Sequence, residues 1–168
     1  MGNIVQGKGA GTLIGQKEER LLEALKQSLN PELEAQRKSE EAAAYYDMFD
    51  IARKHAVLSL LSDVYEEDEG LPAGLRQELR QAAATVVRSN YRLLFLVKYI
   101  TQVLEKEGIR AILLKGAATA SYYPVPELRK AGDVDILIPE ESVFGQAVEI
   151  LEREGFAVQE EQTALHHI

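Results

Sequence analysis

Residues 113–140 read LLKGAATASYYPVPELRKAGDVDILIPE, and how they are read decides what kind of fold the chain adopts. Two aspartates, Asp133 and Asp135, stand two positions apart in DVDILI (133–138), a run that otherwise reads as apolar strand. Side chains on a strand alternate between faces, so Asp133 and Asp135 would share one face and Val134 and Ile136 the other. Their Cα atoms would lie about 6.6 Å apart at roughly 3.3 Å per residue. Two carboxylates held on one face repel each other, and partial burial adds a desolvation cost. A hard divalent cation between them removes both penalties. Mg²⁺ suits the pair, because it takes one or two carboxylates and completes its shell with water and substrate phosphate oxygens. The plainer alternative is a strand edge in water, with both aspartates solvated or paired with Arg129 or Lys130.

Working upstream, IRAILL (109–114) is another β-rich run, and it ends at Lys115-Gly116. Glycine lets backbone approach a ligand closely, the free N–H groups of a helix start favour an anion, and Lys115 adds a cation there. An anion-binding turn beside a metal-binding pair has the parts needed to hold a nucleoside triphosphate with its metal. KGAATASYY (115–123) should form a short helix stopped by Pro124 and Pro126. A further helix over about 141–154 should end with Gly155 as its cap, and FAVQE (156–160) should begin a third strand. Strand–helix–strand–helix–strand suggests an α/β sheet, attached here to a helical region.

That helical region fills the first two-thirds of the chain. Leu21, Leu22, Leu25 and Leu29 mark a short amphipathic segment. Asn30-Pro31 reads as an N-cap and first-turn proline opening a helix to about residue 54, with Glu32 and Glu34 favouring its positive end. Another helix is expected over about 56–67. The acidic cluster Glu66–Glu69, closed by Gly70, reads as a solvated helix end and loop. After Pro72, Leu75, Leu79, Ala82, Val86, Leu93, Leu96, Ile100 and Val103 recur at steps of three and four, with a single step of seven. This predicts one helix to Lys106, ended by Gly108. Tyr91, Phe95 and Tyr99 lie at helical spacing and read as core or interface. The implied organisation is a flexible lead-in over 1–16, a helical region over 17–107 and a partial α/β core over 108–168.

Composition bounds the function. Apolar residues make up 46% and charged residues 27%, as in ordinary globular proteins. The net charge of −8 argues against a broad grip on nucleic-acid phosphates, although a bound divalent metal can supply positive charge locally. With no cysteine, disulfides, zinc–thiolate sites and cysteine nucleophiles are excluded. No apolar run approaches the roughly 18 residues of a membrane helix, and MGNIVQGKGAGTLIG lacks the form of a signal peptide, so a cytoplasmic location is the default. Gly2, Gly7 and Lys8 match G-x-x-x-x-G-K, but Gly9 replaces the Ser or Thr and no strand precedes them, which points to a flexible lead-in. His166 and His167 are adjacent and diverge in regular structure, and His55 on a helix reads as packing or surface.

The stretch LLKGAATASYYPVPELRKAGDVDILIPEESVFGQAVEILEREGF (113–156) resembles the nucleotidyltransferase-like family that carries Leu-Lys-Gly in place of the usual Gly-Ser turn. In that family an Arg, a short gap, an Asp-x-Asp strand and a helix ending in Gly-Phe follow. The resemblance covers residues 109–156 and extends more loosely upstream to IARKHAVLSLL (51–61) and the long helix. It implies an α+β fold in which a helical region precedes a partial nucleotidyltransferase-type mixed sheet, as in the superfamily typified by DNA polymerase β. By the same resemblance Lys115 and Gly116 would contact phosphate, Arg129 would support the phosphates or orient the loop, and Asp133 and Asp135 would be catalytic ligands of Mg²⁺ or Mn²⁺. The implied reaction is in-line attack of a hydroxyl on the α-phosphorus of a nucleoside triphosphate, with pyrophosphate leaving and two metals stabilising both oxygens. The acceptor stays open between protein, RNA and small molecule.

The superfamily also uses a third carboxylate on a later strand, where in this family an acid shortly precedes a histidine. The sequence ends at TALHHI without that pattern, and Glu160 and Glu161 are the available substitutes. The expectation is therefore a truncated chain, inactive or incomplete by itself. Competing readings are a nucleotide-binding or protein-interaction module without turnover, and a glycosyltransferase using Asp-x-Asp for a nucleotide sugar. A haloacid-class phosphatase fits less well, because its aspartates close an apolar strand, whereas Asp133 opens one.

Overall fold

The computed structural model describes residues 15–33 and 41–158. The motif at Gly2, Gly7 and Lys8 lies outside them, as do Glu160, Glu161, His166 and His167. The chain divides into two compact units, Met1–Ala83 and Ala84–Ile168.

The first unit is helical. It comprises α1 (Gln16–Leu29), α2 (Ala42–Lys54), a 3-10 turn Leu58–Leu61 running into α3 (Ser62–Tyr65), and the start of α4 (Ala73–Lys106). Its core gathers Leu21, Tyr45, Met48, Phe49, Leu61 and Leu79. Leu21 and Ala24 are buried on α1, whereas Leu22 and Leu29, read as part of the same stripe, are exposed.

Asn30-Pro31 ends a helix instead of opening one. The Asn30 backbone N–H donates to the Gln27 carbonyl (3.2 Å), and its side-chain amide donates to the Lys26 carbonyl (2.9 Å). Asn30 thus satisfies carbonyls that the end of α1 would leave without partners. Pro31, which cannot continue an α-helical ladder, follows, and residues 31–33 form a turn.

The helix expected over 56–67 is also shorter, and Ala56 is the reason. Its φ of +56 lies in the left-handed region. Val57 N–H donates to the Ala52 carbonyl and Ala56 N–H to the Arg53 carbonyl, which is the Schellman pattern closing α2. Glycine adopts this backbone without the steric cost that an L-residue meets. Ala56→Gly is expected to raise stability by about 0.5–1 kcal/mol, because relief of that cost exceeds the added unfolded-state entropy. Urea unfolding measures the difference.

The acidic loop is solvated, with Glu67, Glu69 and Gly70 exposed, and it is also pinned through its backbone and Asp68. The Arg76 guanidinium donates to the backbone carbonyls of Glu66, Asp68 and Leu71. The Asp68 carboxylate accepts the Tyr45 hydroxyl and the Gly70 N–H, each at 2.9 Å, and Arg80 pairs with Glu66 at 3.0 Å. Tyr45 is a core residue whose hydroxyl needs a partner, and Asp68 supplies it.

Both ends of α4 agree with the sequence reading: it begins after Pro72 and runs to Lys106. The remainder of α4 belongs to the second unit, followed by β1 (Ile112–Leu114) and α5 (Lys115–Thr119). Then come 3-10 turns at Ala120–Tyr122 and Pro126–Leu128, β2 (Asp135–Leu137), a turn Glu141–Val143 and α6 (Phe144–Arg153). Gly108 (φ +77) closes α4 in another Schellman motif: Ile109 N–H donates to the Leu104 carbonyl, and both side chains are buried together. Gly155 (φ +92) closes α6 the same way, with Phe156 and Leu151 as its apolar pair.

Among the described residues the sheet is a single antiparallel pair, with Ile112 opposite Leu137, Leu113 opposite Ile136 and Leu114 opposite Asp135. Among the described residues no third strand extends this pair: residues 156–158 are irregular, and the remainder of FAVQE, 159–160, lies outside them. The architecture is α+β and mostly helical. Ile136 and Ile138 pack on a core of Ile100, Leu104, Ile109 and Ile150, which fixes one face of the sheet against α4 and α6.

Tyr99 on α4 donates its hydroxyl hydrogen bond to the Glu154 carboxylate beyond α6. That bond, with desolvation and the carboxylate's charge, raises the phenol above its usual value of 10.0. The raised group keeps its proton in the folded state while the unfolded chain begins to lose it. The contact therefore contributes fully below pH 10 and is lost as pH rises through the folded value. Ultraviolet titration is expected to show a late-ionising tyrosine that disappears in Tyr99→Phe.

Candidate active site

The antiparallel pairing has a consequence for chemistry. β1 ends where β2 begins, so Lys115-Gly116 and Asp133–Asp135 come to the same end of the sheet. A parallel pair would place them at opposite ends. Leu114 faces Asp135 across the ladder, and the Lys115 Nζ lies 3.9 Å from Asp135 Oδ1. A Cβ built on Gly116 would stand 3.6 Å from the Asp133 carbonyl oxygen, so the turn lies directly against the aspartate segment. That spacing is ordinary van der Waals contact. Asp133 therefore does not itself require a glycine at position 116.

Asp133 precedes β2, which starts at Asp135, so the alternation of faces inferred for the pair applies only from Asp135 onward. Asp133 is exposed and the Asp135 side chain is 34% accessible, so both carboxylates are open to a ligand. Lys115 is 78% accessible and holds φ at +43. A lysine in the left-handed region costs on the order of 1 kcal/mol and persists where surrounding structure imposes it. Strain of this kind clusters at ligand-binding turns.

Arg129 reaches the site from another direction. Its Nη1 donates to the Gly116 carbonyl at 3.0 Å, and its guanidinium stands 5.6 Å from the centroid of the Tyr123 ring. Among the described residues it forms no ion pair with either aspartate. All five site residues read from the sequence are thus brought into one neighbourhood: Lys115 and Gly116 on the turn, Asp133 and Asp135 beside it, and Arg129 behind it.

The loop carrying Arg129 is held by a residue the sequence reading passed over. Asn90, 8% accessible on α4, donates from Nδ2 to the Glu127 carbonyl (2.7 Å) and the Arg129 carbonyl (2.8 Å). Its Oδ1 accepts the Ala131 N–H at 3.4 Å. The signal was in the periodicity: the step of seven from Val86 to Leu93 breaks into four and three at Asn90. A polar residue occupies the place where the apolar pattern calls for another core side chain.

Asp133 and Asp135 are the carboxylates at this end of the sheet that could hold Mg²⁺ or Mn²⁺, with water and phosphate oxygens completing the shell, while Lys115 is a cation for a phosphate and not a metal ligand. Among the described residues no three His, Cys, Asp or Glu converge on one point. No helix among them is long and apolar enough to cross a membrane.

No curated protein and no solved structure matches the chain. A family model described as an uncharacterised nucleotidyltransferase matches residues 43–168, well over half the chain and the whole of the site. The chain belongs to this nucleotidyltransferase family.

Proposed function

We propose that the Lys115-Gly116 turn and the Asp133–Asp135 pair bind a nucleoside triphosphate and transfer its nucleoside monophosphate to a hydroxyl acceptor. The observation that carries this reading is the register placing Leu114 opposite Asp135, which joins a cationic turn to a carboxylate pair at one end of the sheet. Asp133 and Asp135 would hold Mg²⁺ or Mn²⁺. The metal would supply positive charge for the triphosphate in a chain of net charge −8.

The chain's own residues have separate roles. Lys115 now neutralises Asp135 at 3.9 Å and would turn to a phosphate oxygen on binding. Arg129 fixes the turn through the Gly116 carbonyl, and Tyr123 and Asn90 fix Arg129. The acceptor hydroxyl gives up its proton to water. Its oxygen bonds to the α-phosphorus as the bond from that phosphorus to the α–β bridging oxygen breaks, and pyrophosphate leaves with that electron pair. The test is radiolabel transfer. With α-labelled triphosphate the label should appear on an acceptor fraction of a cell extract, and with γ-labelled triphosphate it should leave as pyrophosphate. Transfer of γ-label to the acceptor would sink the reading.

A second reading, a nucleotide-binding or protein-interaction module without turnover, draws support from the absence of three convergent acids among the described residues. Metal-dependent triphosphate binding without any label transfer would favour it.

A further inference from the structure

From Leu79 to Leu104 the chain contains no Asp or Glu, although it carries 27 acidic residues overall; in that span stand Arg80, Arg88, Arg92 and Lys98. At about 100° per residue, Arg88, Tyr91, Arg92 and Lys98 all fall within about 60° of Phe95 around the α4 axis. Asn90 occupies the opposite side and is buried. These five residues are exposed, Tyr91 at 58% and Phe95 at 73%, while Tyr99 on the same side is engaged by Glu154. Among the described residues Arg88, Arg92 and Lys98 have no ion-pair partner. Two bare aromatic rings one turn apart, bracketed by three unpaired cations, form a helix face with a definite chemistry.

The face also adjoins the site. Tyr91 and Leu94 line a cavity of about 220 Å³ together with Asn90, Glu127 and Arg129. Arg129 is the residue that holds the Gly116 carbonyl. A chain lying along α4 would therefore run toward the triphosphate turn.

We infer that this face of α4 binds a single-stranded polynucleotide, which is the acceptor of the transfer proposed above. Unpaired bases stack on Tyr91 and Phe95, and backbone phosphates meet Arg88, Arg92 and Lys98. Stacking requires free base faces, so a duplex fits this stripe poorly. The overall charge of −8 is consistent with a grip confined to a stripe that no acid of α4 interrupts between Leu79 and Leu104, ending where Glu154 meets Tyr99, instead of a broad basic surface. The inference rests on the nucleotidyltransferase reading for its word acceptor, while the binding itself is measurable without turnover.

The test is fluorescence anisotropy of the 168-residue chain with labelled single-stranded RNA, single-stranded DNA and duplex of one mixed sequence. Single strands should bind with a log K against log salt slope near −2, as three phosphate contacts give at about 0.7 each. The RNA and DNA arms decide which polymer is preferred. Arg88→Glu/Arg92→Glu should weaken binding at least about tenfold and flatten the slope. Tyr91→Ala/Phe95→Ala should weaken it by about tenfold or more while leaving the slope unchanged. Both variants alter exposed positions, and Lys98→Glu alone provides a milder check. Asp133→Asn/Asp135→Asn should leave polynucleotide binding intact, and Arg88→Glu/Arg92→Glu should leave Mg²⁺–triphosphate binding intact, so the two readings fail separately. The inference is overturned by no salt-dependent binding, by duplex binding as tight as single strand, or by variants that bind like the parent. It is equally overturned if sedimentation shows a dimer that Phe95→Ala dissolves and oligonucleotide does not disturb.

Discussion

Replacing Asp133 and Asp135 by asparagine is expected to reduce Mg²⁺-dependent triphosphate affinity by more than about 100-fold. Loss of residues that merely orient metal ligands costs 10–100-fold, and direct removal of two anionic ligands exceeds that. Both side chains are accessible, so the change removes charge without opening a cavity, and folding stability should hardly move. Losing the Asp135 charge also frees Lys115 from its 3.9 Å partner. Metal-independent attraction of the triphosphate to that lysine should therefore persist or rise slightly in the variant. Calorimetry with and without Mg²⁺ separates the two contributions. Retention of metal-dependent binding by the double variant would remove the aspartates from the site.

The second large effect is structural and comes from Asn90. Asn90→Leu completes the apolar repeat of α4, and a rule based on hydrophobic period alone expects it to stabilise the protein. The structure predicts the opposite. The Glu127 and Arg129 carbonyls lose the donor that satisfies both, at 2.7 and 2.8 Å, and the Ala131 N–H loses its acceptor. Groups left without partners cost about 1–3 kcal/mol each, less where the loop moves to reach water, giving roughly 2–3 kcal/mol overall. The urea midpoint should fall with an unchanged slope. Hydrogen exchange at Ala131 should accelerate, and triphosphate affinity should drop because Arg129 no longer steadies Gly116. An unchanged midpoint and unchanged exchange would show that the loop does not depend on Asn90.

These residues also show where sequence was legible. α4 was readable because its period is sustained over 34 residues between Pro72 and a glycine in the left-handed region. The candidate site residues stand out in the sequence because their spacing is local: Lys115 next to Gly116, and Asp133 two positions from Asp135. Strand direction was not. Three-residue strands flanking a short helix look the same whether they pair parallel or antiparallel, and only the register reveals that β1 ends at the start of β2.

Asn30 was misread because Asn-Pro is chemically suited to both sides of a helix boundary, as cap of the next helix or as stop of the last. Ala56 was hidden because alanine is the best helix former, and its left-handed φ follows from backbone hydrogen bonds that composition does not encode. Tyr91 and Phe95 recur at the same helical interval as the buried residues. Periodicity assigns such a stripe to a face without saying which face is covered.

The central claim is that the lysine turn and the aspartate pair serve one ligand, and thermodynamic coupling tests it most directly. The chain is titrated with triphosphate alone, with Mg²⁺ alone, and with triphosphate at saturating Mg²⁺, for each of the four common bases. One joint site predicts weak binding of either component alone and at least about tenfold tighter triphosphate binding in the presence of the metal, with the reciprocal effect on Mg²⁺. Triphosphate that binds equally well with and without Mg²⁺, or not at all, would contradict it.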